Sequence, residues 1–260
     1  MSNYAMPGAS PRQNLVQDFG LGKITLNYAR PSVQGRSVFQ ENSLLAPLEK
    51  LWRFGADAAT QIQFSDTVTI AGTSIDPGTY LLFAIPHQTE WEIIFNSNMT
   101  GGVRGYDPQF NILSLYTPVQ EQSHFTETLS LQFANIRYEA CCLQISWAHV
   151  LVELEITTAI VERLRETYAR QMESDTKPYF PAAVFNAKLG KDFPKAMDYV
   201  NKALESNPGA YYMHFLKAAV AKALGDGPAA KKSAEDCLET ARKGGSDDYI
   251  RLAKDFLSKL

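Results

Sequence analysis

Arginines and carboxylates in the N-terminal half are of the residue types that bind anions or move protons. Arg30, Arg36 and Arg53 lie in separate segments, and Glu49 and Asp57 flank the last of them. Arg30 falls on the apolar side of an alternating stretch, where an unpaired charge costs several kcal/mol. One interpretation is an arginine–carboxylate pair that fixes two loops. The other is a cluster that binds an anion or a carbonyl group, because a guanidinium presents a planar fork of donors.

The same residues define the catalytic pair that we expect if the protein is an enzyme. Asp57 would transfer a proton and Arg53 would stabilise charge. Isomerase, lyase and cyclase reactions suit this pair, since they need neither a metal nor a nucleotide. The four histidines show no metal-ligand spacing, and the sequence contains no Gly-x-Ser-x-Gly motif and no phosphate-binding loop. We therefore expect no metal and no cofactor.

Aromatic residues supply the apolar surface on which a flat ligand would lie. Trp or Tyr rings line pockets well when their polar atoms are hydrogen-bonded, and the alternative for such rings is plain core packing. The glycine-rich stretch MTGGVRGYDPQF (99–110), with Gly101, Gly102 and Gly105, is either a flexible connection or a lid. The predicted ligand-binding residues are Arg30, Arg36, Trp52, Arg53, Tyr80, Trp91, Arg104 and Tyr106.

The elements that must position these residues are strands. Period-two alternation predicts strands at 23–30, 60–65, 90–96, 112–118, 128–136, 138–149 and 150–157, with two more in 67–86 joined by a turn at Asp76-Pro77-Gly78. Continuous apolar runs at 81–85 and 92–95 indicate strands covered on both faces. Residues 8–157 are therefore predicted to form an antiparallel β-sandwich or a partly closed barrel.

The period changes to that of helices after residue 156. An apolar stripe over 156–173, opened by Thr157 or Thr158, predicts a helix that bridges to the rest of the chain. Ala196 and Ala230 are 34 residues apart, and two helix pairs at this period are typical of tetratricopeptide repeats. We predict a bridging helix over 158–175 and a helical-repeat unit over 176–260, which leans on the β domain through the bridging helix and ends in a capping helix at 247–260.

Composition excludes several classes of function. The chain has 260 residues, 45% of them hydrophobic, and a net charge of −3, so no basic surface for nucleic acid is indicated. No run of about 18 apolar residues is present, so no membrane span is expected. Cys141 and Cys142 are adjacent on a predicted strand, and with Cys237 they make an odd number. We expect the adjacent pair to be small core side chains rather than redox groups.

Several motifs in the β half resemble the DUF2911 family of uncharacterised bacterial proteins, which is abundant in Bacteroidetes. The resemblance spans roughly residues 8–157 and implies a β fold without an agreed activity. Members usually carry an export signal, and they usually have Asn-Glu where this chain has Asp57-Ala58. The matching motifs are Ser10-Pro11-Arg12-Gln13, Tyr28-Ala29-Arg30-Pro31-Ser32, Gly35-Arg36, Phe39, Trp52-Arg53-x-Gly55-Ala56, Ala59-Thr60, Pro77-Gly78-x-Tyr80-x-Leu82-Phe83-x-Ile85-Pro86 and Trp91.

These patterns lead to one expectation about function and two alternatives. We expect the β domain to bind a small apolar or anionic molecule, and the helical unit to bind a protein or peptide. The alternatives are a cofactor-free enzyme acting on a small, largely apolar substrate in the same pocket, and a structural or assembly protein. The N-terminus as it stands lacks the pattern of a signal peptide, which predicts a cytoplasmic protein. A removed signal peptide would make it periplasmic or exported.

Overall fold

The computed structural model describes residues 6–100 and 102–260, and the chain divides into two compact units, Met1–Ile160 and Val161–Leu260. All strand pairs of the first unit are antiparallel. Its strands, within the described residues, are β1 (Arg12–Phe19), β2 (Gly22–Ala29), β3 (Thr60–Phe64), β4 (Val68–Ile70), β5 (Thr73–Ile75), β6 (Gly78–Pro86), β7 (Glu90–Asn96), β8 (Asn111–Ala134) and β9 (Ala140–Thr157).

The strands form one open sheet in the order β1-β2-β3-β6-β7-β8-β9-β4-β5. Strand β8 is shared by two parts of this sheet: its first residues pair with β7, and the residues from Val119 onward pair with β9. Register shifts between Glu121 and Ser130 bend the strand at that point. The predicted antiparallel β fold is confirmed, and the sheet is not closed into a barrel, because the described sheet ends at β1 and β5.

Backbone hydrogen bonds tie the two parts of the sheet together beyond the end of β2. The Leu129 N–H donates to the Pro31 carbonyl at 2.9 Å, and the Val33 N–H donates to the Glu127 carbonyl at 2.9 Å. Residues of β2, β3, β6 and β7 therefore share one hydrophobic core with residues of β8 and β9. The continuous apolar runs of β6 and β7 are covered on both faces, as predicted, since Leu81, Phe83 and Ile94 belong to a second cluster on the other side.

A fully buried phenol also joins the two parts of the sheet. The Tyr28 hydroxyl accepts a hydrogen bond from the Leu131 N–H at 2.9 Å and donates one to the Gln13 side chain at 2.8 Å. Burial raises the pKa of Tyr28 above its ordinary value, so the neutral phenol that donates is the stable form.

Three details of the strand prediction are wrong. Strand β1 is not predicted, because alternating polar residues on an edge strand leave a weak apolar pattern. The segments 112–118 and 128–136 are one strand, as are 138–149 and 150–157, since bulged strands continue through polar stretches. Residues 67–86 hold three strands rather than two.

The second unit is helical, as predicted. The predicted first helix begins only at Val161, because the Thr157 and Thr158 hydroxyls donate to the Thr69 and Thr67 carbonyls and so extend the sheet. Its helices, within the described residues, are α1 (Val161–Gln171), α2 (Tyr179–Phe185), α3 (Phe193–Ser206), α4 (Tyr211–Ala223), α5 (Gly227–Lys243) and α6 (Asp247–Ser258), with a π-helical turn at Asn186–Gly190 after α2.

Two helices of this unit begin at aspartates that cap them. The Asp192 and Asp226 carboxylates accept hydrogen bonds from the Lys195 and Ala229 N–H groups at 3.1 and 3.0 Å, and a proline follows in the first turn of each helix. None of the described helices combines the length and apolarity needed to cross a lipid bilayer.

We predict that Tyr28→Phe destabilises the β unit. The change leaves the Leu131 N–H buried without an acceptor, which costs about 1–3 kcal/mol. Urea unfolding followed by tryptophan fluorescence measures this, because all three tryptophans belong to the β unit. The control is Tyr116→Phe, because Tyr116 is 59% exposed. An unfolding midpoint equal to that of the control would contradict the role given to the Tyr28 hydroxyl.

Candidate functional site

The segment between β2 and β3 is held against strand β6 by backbone hydrogen bonds. Trp52 and Ala84 exchange a pair of them at 2.7 and 2.9 Å, and the Glu49 N–H donates to the Pro86 carbonyl at 2.9 Å. Trp52 therefore enters the sheet interior, as its place in an apolar stretch indicated, and Glu49 lies beside the end of β6.

Several residues of this segment hold unusual backbone conformations. Of nine described non-glycine residues with positive φ, five lie between β2 and β3: Gln34, Phe39, Glu49, Phe54 and Asp57. Such conformations are costly for bulky side chains and persist only where the surroundings enforce them, which is common at functional sites. The concentration of such residues marks this segment as a candidate functional region.

Five aromatic rings meet where the segment enters the core. Trp52 is at their centre: it stacks on Phe54 and Trp147 with centroid distances of 5.2 and 5.8 Å, and it meets Trp91 edge to face at 5.6 Å. Phe39 lies 4.7 Å from Trp91 and is only partly buried. The cluster is thus packed inside and reaches the surface through Phe39.

A cleft of about 430 Å³ opens beside this edge of the cluster. Such a volume is in the range of small-molecule sites. One part of its wall is apolar and the rest polar. The apolar residues are Phe39, Leu48, Trp91, Val119 and Val150, and the polar residues are Gln40, Glu41, His87 and Gln88.

A histidine–carboxylate pair lies at this cleft. His87 Nδ1 is 2.7 Å from Glu49 Oε2, while His87 Nε2 is buried and has no hydrogen-bond partner among the described residues. A neighbouring carboxylate favours the tautomer with the proton on Nδ1, which leaves Nε2 as an acceptor. A buried polar atom without a partner calls for a water molecule or a ligand. The pair therefore offers one hydrogen-bond acceptor or a base.

The arginines do not form the predicted pairs with carboxylates. Among the described residues, Arg30 donates from Nε to the Leu129 carbonyl at 2.9 Å, and Arg36 donates to the carbonyls of its own loop. Arg53 is half-buried, and its Nε has no partner in the described part of the chain. Arg30 uses a backbone carbonyl in place of a carboxylate because the chain after β2 runs along β8.

Asp57 is exposed and lies outside the residues that line the cleft. It follows Gly55, where a Cβ atom would come within 2.8 Å of the Ala29 carbonyl oxygen, so only glycine fits there. The turn carries Asp57 toward solvent. No ion pair joins it to Arg53 or Arg30 in the described structure, so the interpretation of these residues as an arginine–carboxylate pair that fixes two loops is wrong.

The remaining predicted residues are dispersed. Tyr80 is buried at the far end of β6, where its hydroxyl donates to the Asp76 carbonyl at 2.8 Å. Arg104 is exposed. Tyr106 packs on Phe83 at 5.0 Å, on the face of β6 opposite the main core, so the lid does not cover the cleft. Gly101 lies outside the described residues. Of the predicted ligand-binding set, the structure places Trp91 alone in the cleft wall.

A second cleft of about 530 Å³ lies where the β1–β2 and β8–β9 turns approach each other. Its wall includes Ile136 and Tyr138, which are about half exposed, and it is more open to solvent than the first. None of the described side chains that line it has a buried polar atom without a partner, so we favour the cleft at His87.

The cysteines have no chemical role that the structure supports. Cys141, Cys142 and Cys237 are free and buried, as expected for the adjacent pair. Burial raises the pKa of Cys141 to about 12 and of Cys142 and Cys237 to about 11. No group of three His, Cys, Asp or Glu side chains in the described residues is placed to hold a metal ion.

Sequence reasoning missed Phe39, His87, Val119 and Val150 as site residues. They come from four separate segments of the chain, which are brought together by the pairing of β6 with the Trp52 segment and of β8 with β9. The sequence did contain one indication of this site. Phe39 and Pro86 both belong to the quoted motifs, and His87 directly follows Pro86.

The protein is a mixed β and α protein with one open antiparallel sheet followed by helices. The chain belongs to the family described as "Protein of unknown function (DUF2911)", whose family model matches residues 10–156. The match covers the β unit up to the end of β9. No curated protein matches the chain.

We predict that the three thiols resist alkylation in the folded protein. Because their pKa values lie above the ordinary 9.0, little thiolate exists at pH 8 and access is blocked. Iodoacetamide followed by mass spectrometry should add no label to the native protein and three labels after denaturation. The same shifts make folding less favourable as the pH rises from about 9 toward the folded-state values, since the unfolded thiols ionise first. Rapid native labelling of Cys142 would contradict this account.

Proposed function

We propose that the β unit binds a small, largely apolar molecule in the cleft beside Phe39 and Trp91. The observation that carries the proposal is the buried His87 Nε2, which has no partner among the described residues and belongs to a residue of the cleft wall. Aromatic and aliphatic walls would cover the apolar part of the ligand, and His87 would accept one hydrogen bond.

Charge around the cleft favours this ligand over an anion. Glu41 lies in the wall and the Glu49 carboxylate contacts His87 Nδ1, so the charged groups at the cleft are acidic. The predicted arginines are absent from the residues that line the cleft. Of the two ligand classes expected from the sequence, we therefore propose the apolar one, with a hydroxyl or amide N–H as its donor.

The binding proposal is tested by native mass spectrometry of the purified chain and of Val119→Trp. Val119 lines the cleft, so an indole there would fill it, whereas Val103→Trp adds the same bulk on an exposed turn. We expect a co-purified small molecule on the wild type and on Val103→Trp, and none on Val119→Trp. His87→Leu, which removes the acceptor, should weaken retention about tenfold through the lost hydrogen bond, whereas Asp57→Asn should not.

A bound mass that is equal in the wild type and Val119→Trp would contradict the site. No bound mass in any variant, together with equal binding of a hydrophobic fluorescent dye by the wild type and Val119→Trp, would favour the structural or assembly alternative.

A second candidate is the cofactor-free enzyme, favoured by the Glu49–His87 pair. A carboxylate that orients Nδ1 leaves Nε2 as a base, which could remove a proton from a bound substrate in an isomerase, lyase or cyclase reaction. This assignment replaces Asp57 and Arg53 with His87 and Glu49, because the pair lies at the cleft whereas Asp57 is exposed.

We predict that an enzyme of this kind exchanges a substrate proton with solvent. The small-molecule fraction of a bacterial extract is incubated in D₂O with the protein, and deuterium uptake is followed by mass spectrometry. The wild type and Asp57→Asn should label the same compound, and His87→Gln should not. Glu49→Gln should lower the rate by about 10²- to 10⁴-fold, the contribution usual for acid–base catalysis. Absence of labelling by the wild type would remove this candidate.

The helical unit is proposed to be a tetratricopeptide-like pair of repeats that binds a protein or peptide partner. The caps Asp192 and Asp226 are 34 residues apart, as are the buried residues Ala196 and Ala230. Half-buried rings on α4 and α6, among them Tyr211 and Tyr249 at 4.9 Å, would give such a partner apolar contacts.

A further inference from the structure

Strand β1 leaves one side of its backbone unpaired. It is the first strand of the sheet and pairs only with β2 within the described residues. It runs for eight residues, whereas β5 at the other end of the sheet has three. Natural edge strands are usually shortened, bulged or protected by lysine or proline. The sequence RQNLVQDF has no lysine and no proline, and its register with β2 is unbroken.

The turn between β1 and β2 determines which backbone groups face the free edge. Phe19 pairs with Gly22 across a two-residue turn with positive φ at Gly20, so these two residues exchange hydrogen bonds. The Arg30 N–H donates to the Pro11 carbonyl at 3.0 Å, which continues the same alternation. The odd-numbered residues of β1 therefore bond to β2, and the N–H and C=O groups of the even-numbered ones point outward.

The outward-facing residues are Arg12, Asn14, Val16 and Asp18, and all four side chains are exposed. The Asp18 carbonyl already accepts a bond from the Gln17 side chain at 2.9 Å, and it keeps a second lone pair. The remaining outward N–H and C=O groups of these residues have no hydrogen-bond partner in the described structure. This edge is ready to pair with another strand.

We propose that two copies of this chain associate by antiparallel pairing of their β1 strands around a twofold axis at Leu15. In that register Arg12 lies opposite Asp18 of the second copy, and Asn14 lies opposite Val16. Both of these pairs join outward-facing residues, so the two members of each pair exchange backbone hydrogen bonds. Shifting the register by two residues leaves part of the edge unpaired and separates the charges.

The charges on β1 favour pairing with β1 of a second copy over pairing with an unrelated strand. Arg12 donates to the Asn27 side-chain oxygen from Nε and Nη2, which leaves three of its five N–H donors free. Asp18 makes no ion pair among the described residues. Opposite charges at directly opposed positions stabilise a strand pair, and the twofold axis repeats the contact. The partly buried Leu15 side chains of the two copies would meet on the axis.

The proposal is tested by sedimentation velocity of the full chain over a range of concentrations. We expect a monomer–dimer equilibrium. Arg12→Asp and Asp18→Arg should each raise the dimer dissociation constant about tenfold or more, since each places like charges opposite one another twice. The double exchange Arg12→Asp with Asp18→Arg should return it to the wild-type value. Asn14→Pro removes an outward N–H but no bond to β2, so it should give a monomer.

Circular dichroism is used to check that each variant is folded. If Asn14→Pro does not fold, the Arg12 and Asp18 charge-exchange variants alone test the proposal. A wild type that stays monomeric at every concentration overturns the proposal. So does a dimer that Asn14→Pro leaves intact, or a double exchange that fails to restore association.

Discussion

The pairing of Trp52 with Ala84 is the constraint on which the site depends. It draws an irregular segment of about thirty residues between β2 and β3 onto the end of β6 and inserts an indole between the two parts of the sheet. The stacking of Trp52 on Phe54 and Trp147 then fixes the depth of that insertion. Glu49 reaches His87 only because the same pairing brings residue 49 beside Pro86.

The arginines use other hydrogen-bond acceptors than the carboxylates that their sequence context indicated. A buried or half-buried guanidinium needs acceptors, and carboxylates are the acceptors that a sequence makes visible. In this structure Arg30 uses the Leu129 carbonyl, which a sequence cannot reveal because any residue type supplies one. Glu49, a carboxylate that could have paired with an arginine, contacts His87 instead. Two of the motif arginines thus stabilise loops, while two other motif residues, Phe39 and Trp91, line the cleft together with residues outside the motifs.

The fold was more accessible to sequence reasoning than the site was. Alternation identified β2, β3 and β7 closely, because their buried faces are continuous and apolar. It failed for β1, whose exposed face carries Arg12, Asn14 and Asp18, and for the middle of β8, where bulges release the strand from strict alternation. The cleft depends on long-range pairings that bring Phe39, His87 and Val150 together, and no local pattern encodes such a meeting.

The length of β8 has a consequence for how the protein is made. This strand provides the partner for β7 on one side and for β9 on the other, and it also receives the backbone of Pro31 and Val33. Contacts between residues about a hundred positions apart form slowly. During synthesis the main-core faces of β6 and β7 therefore stay partly exposed until translation has passed β9, and a chaperone can bind the nascent chain during that time.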